Sequence, residues 1–160
     1  MTIPKEIWTL PRPRKPYYPG SFPLFFEIKL IRDLGNPEKI LHPFGGHAEH
    51  GIRTDLNKDV LPDSIADAHK LPFPDNYFEL IICDPPYSDK LSKELYGAPK
   101  IKYHTYMNEA VRVCRLEGYI ASYHWIWTVR PKGTSYHKII VVLPGQNHRA
   151  RICCIYKKEQ

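Results

Sequence analysis

Residues 78–90 read FELIICDPPYSDK. A continuous apolar run of this length, with no polar alternation, is what a strand buried on both faces of a parallel sheet requires. It stops abruptly at Asp84-Pro85-Pro86-Tyr87. Consecutive prolines fix φ and remove two N–H donors, so neighbouring carbonyls can point outward with little freedom left to lose. A rigid carboxylate beside an exposed carbonyl makes two acceptors aimed at one spot, which suits an NH₂ group with two hydrogens to give. Tyr87 adds a flat face on which a planar base can stack, the arrangement needed by an enzyme that takes a nucleotide out of its helix.

The flanks supply the rest of a sheet. Upstream, Phe26, Leu30 and Leu34 form a helical stripe with Ile31 beside it, stopped by Gly35, Asn36 and Pro37. KILHPF (39–44) reads as a short strand and HGIRTDL (50–56) as a candidate second, while Pro72 and Pro74 mark SIADAHKLPFPDNYF (64–78) as loop. Downstream, a polar, basic loop is expected to about Tyr103. A helix follows over TYMNEAVRVCRLEG (105–118), with Met107, Ala110, Val111 and Cys114 on one face and Gly118 at its end. YIASYHW, KIIVVLP and RICCIYKK give three more strands. Alternating strand and helix with a closing strand pair predicts an open α/β sheet with helices on its faces. Residues 1–24 stand apart. Their PRPRKPYYPGSFP (11–23) resists helix and sheet and suits a proline-rich basic arm before a single domain over 25–160.

At 160 residues one domain is expected, and a formal charge of +6 favours a polyanionic partner. The four cysteines lack a zinc-type C-x-x-C pairing and three lie in apolar runs, which points to free thiols in a reducing cytoplasm. There is no secretory signal and no run near the roughly 18–20 apolar residues that span a bilayer, so a soluble chain with no membrane partner is expected.

The DPPY after an apolar strand resembles the catalytic motif of the amino-directed, S-adenosylmethionine-dependent DNA methyltransferases, which act on adenine N6 or cytosine N4. With each residue type near 5% usage, a chance match in this chain is on the order of one in a thousand. The resemblance implies a Rossmann-like methyltransferase sheet with helices on both faces and a closing antiparallel strand pair. It assigns catalysis to Asp84, Pro85, Pro86 and Tyr87, the Asp and first Pro carbonyl holding the amine while the aromatic stacks. KILHPFGGHAEHGIRTDLN (39–57) is similar to the family's cofactor strand and loop, and DAHKLPFPDNYF (67–78) to the run from adenine-contacting loop to catalytic strand. YPGSFP (18–23) resembles its methionine-end motif. Contacts to S-adenosylmethionine are thereby implied for Gly20, Ser21, Phe22, Phe44, Gly45, Gly46, Asp55, Leu56, Asp67 and Ala68, with Asp55 on the ribose hydroxyls and Asp67 on the adenine amine. The implied partner is nucleic acid, DNA favoured over RNA. RNA guanine-N2 and protein glutamine methyltransferases carry similar (D/N)PPY segments, so these acceptors stay open, as does a non-catalytic nucleic-acid-binding module on the same fold.

Several positions depart from the family pattern. His42 stands where an Asp is usual, Ala48 replaces the second glycine, and six residues separate Ala48 from Asp55, too few for the usual helix. Parallel crossovers normally take about a dozen residues. Either the strand over 50–56 is poorly formed or its loop is unusual. There is no target-recognition domain, which leaves the arm and the loops SDKLSKELYGAPKIKYH (88–104) and TVRPKGTSYHK (128–138) for target contact, with specificity coming from a partner or a homo-oligomer. His42, His47 and His50 crowd one loop without a zinc pattern, and no metal is expected. Trp125 and Trp127 could wall the base pocket, but core is the favoured reading.

Overall fold

A computed structural model describes residues 2–13, 21–96 and 100–160, apart from the side chains of residues 91, 95 and 96. The apolar run at its centre is β5 (Phe78–Cys83), in which Phe78, Leu80, Ile81, Ile82 and Cys83 are all fully buried. Leu80 and Ile82 pack with α1 (Phe26–Asp33), whereas Phe78, Ile81 and Cys83 pack with α3 (Tyr103–Val113). The absence of alternation in the sequence is thus explained: each face of β5 has its own helix. Full burial of side chains such as Phe26, Leu30, Met107 and Ile82 contributes about 1.5–3 kcal/mol apiece before entropy is counted.

Five strands run parallel: β4 (Ser64–Ile65), β3 (Ile52–Asp55), β2 (Ile40–His42), β5 and β6 (Cys114–His124). On the other side β8 (Arg151–Lys158) lies antiparallel to both β6 and β7 (Thr134–Leu143), so the sheet closes with the expected antiparallel pair. The full order is β1-β7-β8-β6-β5-β2-β3-β4. The order in which successive strands are laid down reverses between the parallel neighbours β2 and β5, and the crevice beyond their carboxyl ends is where open α/β sheets bind ligands.

Four expectations are corrected. The first is that residues 1–24 form no sheet: Lys5–Thr9 is β1, parallel to β7 in the register Lys5↔Ile139 to Thr9↔Leu143. Trp8 supplies the reason, since it is buried at 5% exposure against Phe26 while Ile7 faces out at 71%. Second, the polar segment after the DPPY contains a helix, α2 (Asp89–Tyr96), with a Lys90–Glu94 ion pair at i,i+4. Third, the helix over 105–118 ends at Val113. Cys114 already pairs with Phe78, the next pairing joins Tyr119 to Leu80, and residues 115–118 bulge out between them with Glu117 at φ 62°. Gly118 is required there because a Cβ would lie 2.8 Å from Cys114 Sγ and 2.9 Å from the Arg115 carbonyl. Fourth, the loop expected over 64–78 begins with the two-residue β4.

The short crossover proves to be an unusual loop rather than a failed strand. β3 forms, and residues 43–51 reach it with no helix between. A buried carboxylate fastens that loop from below. Glu27 of α1, 8% exposed, accepts the Glu49 N–H at 3.0 Å and the His50 N–H at 3.2 Å. His42 Nε2 lies 3.2 Å from Glu27 Oε1 and 2.8 Å from the His50 carbonyl, so that nitrogen carries the hydrogen. Burial alone would raise the acid's pKa, but the hydrogen bond and charge of His42 and the two backbone donors outweigh it and hold Glu27 below the usual carboxylate range. Arg53 completes the clamp, donating to the carbonyls of Gly46, Val60 and Leu61. All four cysteines are buried free thiols. Among the described residues no helix is long and apolar enough to cross a membrane.

Candidate active site

Asp84 follows the last residue of β5, and the two prolines carry the chain out of the sheet at once. Pro85 is buried. Pro86 and Tyr87 then face two different openings: Pro86 lines a narrow crevice with Phe44, Asp55 and Asp67, whereas Tyr87 lines a cleft of about 160 Å³ with Ser21, Tyr123 and Arg151. The DPPY therefore forms the partition between them.

The first crevice gathers five of the ten residues assigned to the cofactor. Phe44, Asp55, Leu56, Asp67 and Ala68 all line it, together with Pro43, Ala66 and Ile101, which the sequence did not single out. Phe44 is held edge-on by Tyr106 at 5.1 Å. Asp55 sits at the end of β3, Oδ2 accepting the Gly46 N–H and Oδ1 the Asn57 N–H, both at 2.9 Å. Each oxygen has room for a second donor, so the carboxylate is fixed without being used up. Asp67 is fixed on one oxygen only: Oδ1 takes the His69 N–H at 2.9 Å and His69 Nδ1 at 2.6 Å. His69 Nε2 accepts the Lys102 N–H at 2.9 Å, which assigns the hydrogen to Nδ1 and leaves Asp67 Oδ2 for a ligand. Burial would raise the Asp67 pKa, but the His69 contacts prevail and hold it low. Two fixed carboxylates, an aromatic ring and an apolar floor of Ala68 and Ile101 fit an adenosine, whose ribose hydroxyls and exocyclic amine are donors.

Not every assigned residue is in that crevice. Gly46 presents its N–H to Asp55 with φ 46°, a backbone state that favours glycine. Gly45 is instead demanded by β3, because a Cβ would lie 2.6 Å from Arg53 Cβ. Ser21 lines the cleft on the Tyr87 side. Phe22 packs on Phe26 and Tyr123 at 5.0 and 5.2 Å, with the His42 ring 6.1 Å away, and so anchors the chain beside the end of β2. Gly20 lies outside the described residues.

In the second cleft the Tyr87 hydroxyl donates to Asp84 Oδ1 at 2.8 Å. Asp84 keeps some exposed surface as a residue, but its carboxyl group is surrounded by protein, and that burial raises its pKa to about 7 against the lowering effects of the Tyr87 hydrogen bond and the Arg151 charge. The Tyr87 ring stacks on Trp125 at 5.7 Å and 19°, with Arg151 5.2 Å from its centre and His124 at 4.8 Å. This corrects the core reading for both tryptophans: Trp125 is 42% and Trp127 54% exposed. Three tyrosines hold their loop in place, Tyr136 and Tyr156 donating to the Thr128 carbonyl and Tyr103 to that of Val129. His148 and Arg151, which line this cleft with Arg12 of the basic arm, were not found from sequence, since they come from the β7–β8 turn and the start of β8, which meet the arm only in the folded sheet.

No protein-family model matches the chain. A ubiquinone/menaquinone biosynthesis C-methyltransferase, UbiE, of Neisseria gonorrhoeae is 50% identical over 46 residues, covering 26% of this chain and 19% of that protein. The matched chain thus spans about a fifth of the length of these curated relatives. Among solved structures, a 1,6-didemethyltoxoflavin-N1-methyltransferase from Burkholderia thailandensis, with its substrate and S-adenosylhomocysteine bound, superposes with a TM-score of 0.60 at 10% identity, over 83% of this chain and 76% of that one. An S-adenosylmethionine-dependent methyltransferase from Aquifex aeolicus gives 0.54 at 14% identity, over 84% and 90%. A TehB-like methyltransferase from Corynebacterium glutamicum gives 0.53 at 14%, over 83% and 87%. The chain has the Rossmann-like fold of the S-adenosylmethionine-dependent methyltransferases. The acceptors named for these neighbours differ in kind, and the fold is what they share with it.

Proposed function

We propose that this protein is an N-methyltransferase that uses S-adenosylmethionine to methylate the exocyclic amine of a nucleic-acid base, with adenine N6 or cytosine N4 of DNA as the favoured acceptors. The observation that carries the reading is the position of Asp84 and Tyr87 across a two-proline partition from the Asp55–Asp67 crevice. Asp55, Asp67 and Phe44 hold the adenosine portion of the cofactor, which when bound supplies an electrophilic methyl group. Ser21 and Phe22 lie toward its methionine end.

An exocyclic NH₂ on a heteroaromatic ring is a poor nucleophile because its lone pair is drawn into the ring. Asp84 accepts one of its hydrogens and turns the nitrogen toward tetrahedral geometry, freeing the lone pair. Positive charge develops on that nitrogen as the new N–C bond forms and the methyl's bond to the cofactor sulfur breaks, with S-adenosylhomocysteine as the leaving group. The carboxylate stabilises that charge more than it stabilises the neutral amine, which is what speeds the step. Asp84 then takes the proton. A carboxyl with a pKa near 7 is suited to accept and release a proton near neutral pH. Tyr87 offers its ring to the base and its hydroxyl to Asp84, so the incoming amine exchanges one donor on Asp84 for another. We place the protein in the cytoplasm, where its buried thiols stay reduced, with target choice supplied by a partner or a second copy. The test is incubation with methyl-labelled S-adenosylmethionine and, separately, duplex DNA, single-stranded DNA, RNA, protein and a small-molecule extract. Label in the base of a nucleic acid supports the reading; label only in protein or small molecules overturns it.

A further inference from the structure

The cleft beside Tyr87 is bordered by guanidinium groups that methyl transfer leaves unused. Three arginines elsewhere are engaged: Arg112 pairs with Asp75 and Glu109, Arg115 with Glu79, and Arg53 is filled by backbone carbonyls, whereas exposed Arg32 of α1 stands apart from any aromatic pair among the described residues. Arg12, Arg149 and Arg151 have no carboxylate partner among the described residues. Arg12 uses Nη2 on the Gln146 carbonyl, which ties the arm to the β7–β8 turn, and Arg151 uses Nη1 on the carbonyls of Arg149 and Ala150. Most of the five donors of each fork remain for an anion. Two of these cations also lie against the stacked aromatic pair: Arg151 is 5.2 Å from the centre of Tyr87 and Arg149 5.8 Å from the centre of Trp125.

A single carboxylate or phosphate would occupy one such fork. Three forks on two chain segments, flanking two stacked rings, match a ligand in which anions and planar groups repeat, and stacking platforms set among cations are how proteins hold single strands. We infer that Arg12, the β7–β8 turn and the Tyr87–Trp125 pair form a track for a single nucleic-acid strand, the arginines taking the phosphates beside the target nucleotide and Trp125 a neighbouring base. The inference rests on the reading of Asp84 and Tyr87 as a base-methylating site and deepens it: the acceptor is a base within a phosphodiester chain.

The test is fluorescence anisotropy of a labelled single-stranded oligonucleotide with the full chain, read against salt. Arg12→Gln combined with Arg149→Gln should weaken binding by about tenfold or more at low salt and lower the slope of log K against log salt by about 1.4, roughly 0.7 for each cation lost from a single strand. Trp125→Ala should weaken binding at every salt concentration with the slope unchanged, and Trp125→Phe should restore most of it. S-adenosylhomocysteine affinity, measured by calorimetry, should stay the same in the double variant, which also shows that it is folded. The track is overturned if the double variant keeps wild-type affinity and slope, or if a duplex of the same sequence competes better than the strand. It is also overturned if the double variant loses affinity for S-adenosylhomocysteine but not for 5′-methylthioadenosine, which lacks the carboxylate. Failure of the labelling screen on nucleic acid, with the two-cation slope change intact, would remove the catalytic reading and leave the track.

Discussion

Tyr87 donates its hydroxyl to Asp84 Oδ1 at 2.8 Å, so the ring proposed to stack on a base and the carboxylate proposed to hold its amine are already joined. The bond orients both side chains. It also sets a barrier, because an incoming amine has to take its place.

Removing the carboxylate should therefore be severe and removing the hydroxyl mild. Asp84→Ala is expected to lower methyl transfer by about a hundredfold or more, the scale for loss of one preorganised electrostatic group, while calorimetry shows unchanged cofactor affinity. Tyr87→Ala should weaken base binding by about 1–3 kcal/mol through lost stacking. Tyr87→Phe keeps the ring and should retain most activity. Wild-type turnover in both Asp84→Ala and Tyr87→Ala would reduce the DPPY to a structural turn.

The pH profile follows from the same pair. Activity that needs ionised Asp84 should fall about tenfold per pH unit below about 7 and level off above it. Tyr87→Phe removes a bond that favours the ionised form, so its acid limb should move to higher pH. Stability runs the other way. The Asp84 pKa is raised in the folded state above its ordinary 3.8, so its contribution is fully present below that value and is lost as pH rises through about 7. Urea titrations at acid and mildly alkaline pH should show Asp84→Asn gaining on wild type as pH rises.

In the adenosine crevice, Asp55→Ala and Asp67→Ala should each weaken S-adenosylhomocysteine binding by about 1–3 kcal/mol, the scale of a lost charge-assisted hydrogen bond. His69→Phe leaves Asp67 in place but removes the Nδ1 donor at 2.6 Å and the acceptor for Lys102. Its affinity loss should be smaller and confined to binding: KM for the cofactor rises while kcat is kept.

The helix-free crossover should show up as stability. Glu27→Ala leaves two part-buried backbone donors without their acceptor and takes one of two partners from His42, and a loss of about 1–3 kcal/mol is expected from urea unfolding. Because the Glu27 pKa is lowered, its contribution is present above about 4.5 and fades as pH falls through the lowered value, the opposite sense to Asp84. Gly45→Ala forces a Cβ to within 2.6 Å of Arg53 and should cost about 1–3 kcal/mol by overpacking.

What could be read from the sequence was local. The buried strand over 78–83 announced itself through unbroken apolar content, and Asp55, Asp67 and Phe44 only through the resemblance of their loops to a known cofactor motif; the fold brings these three into one crevice. What escaped depended on pairings far along the chain. KEIWT has one buried side chain to show for a strand, since Trp8 alone faces the core. The helix at 89–96 is rich in charge, which read as a solvated loop. Gly118 was read as the end of the helix, but the helix ends at Val113 and Gly118 lies in a bulge inside β6. Trp125 and Trp127 followed an apolar strand and so resembled core, whereas the tyrosines that hold their loop at the surface come from α3, β7 and β8.

The pairing of β1 with β7 carries a consequence for the order of assembly. Its partners stand near opposite ends of the chain, so closing that contact first would meet a large loop entropy for few hydrogen bonds. The local elements around β5 and α3 can form earlier, and the β7–β8 hairpin must be in the sheet before β1 has an edge to join. Arg12 lies just beyond β1 and binds the turn of that hairpin. β1 thus precedes β7 in the chain but joins the sheet after it, and the basic face beside Asp84 becomes complete only when the rest of the sheet has already folded.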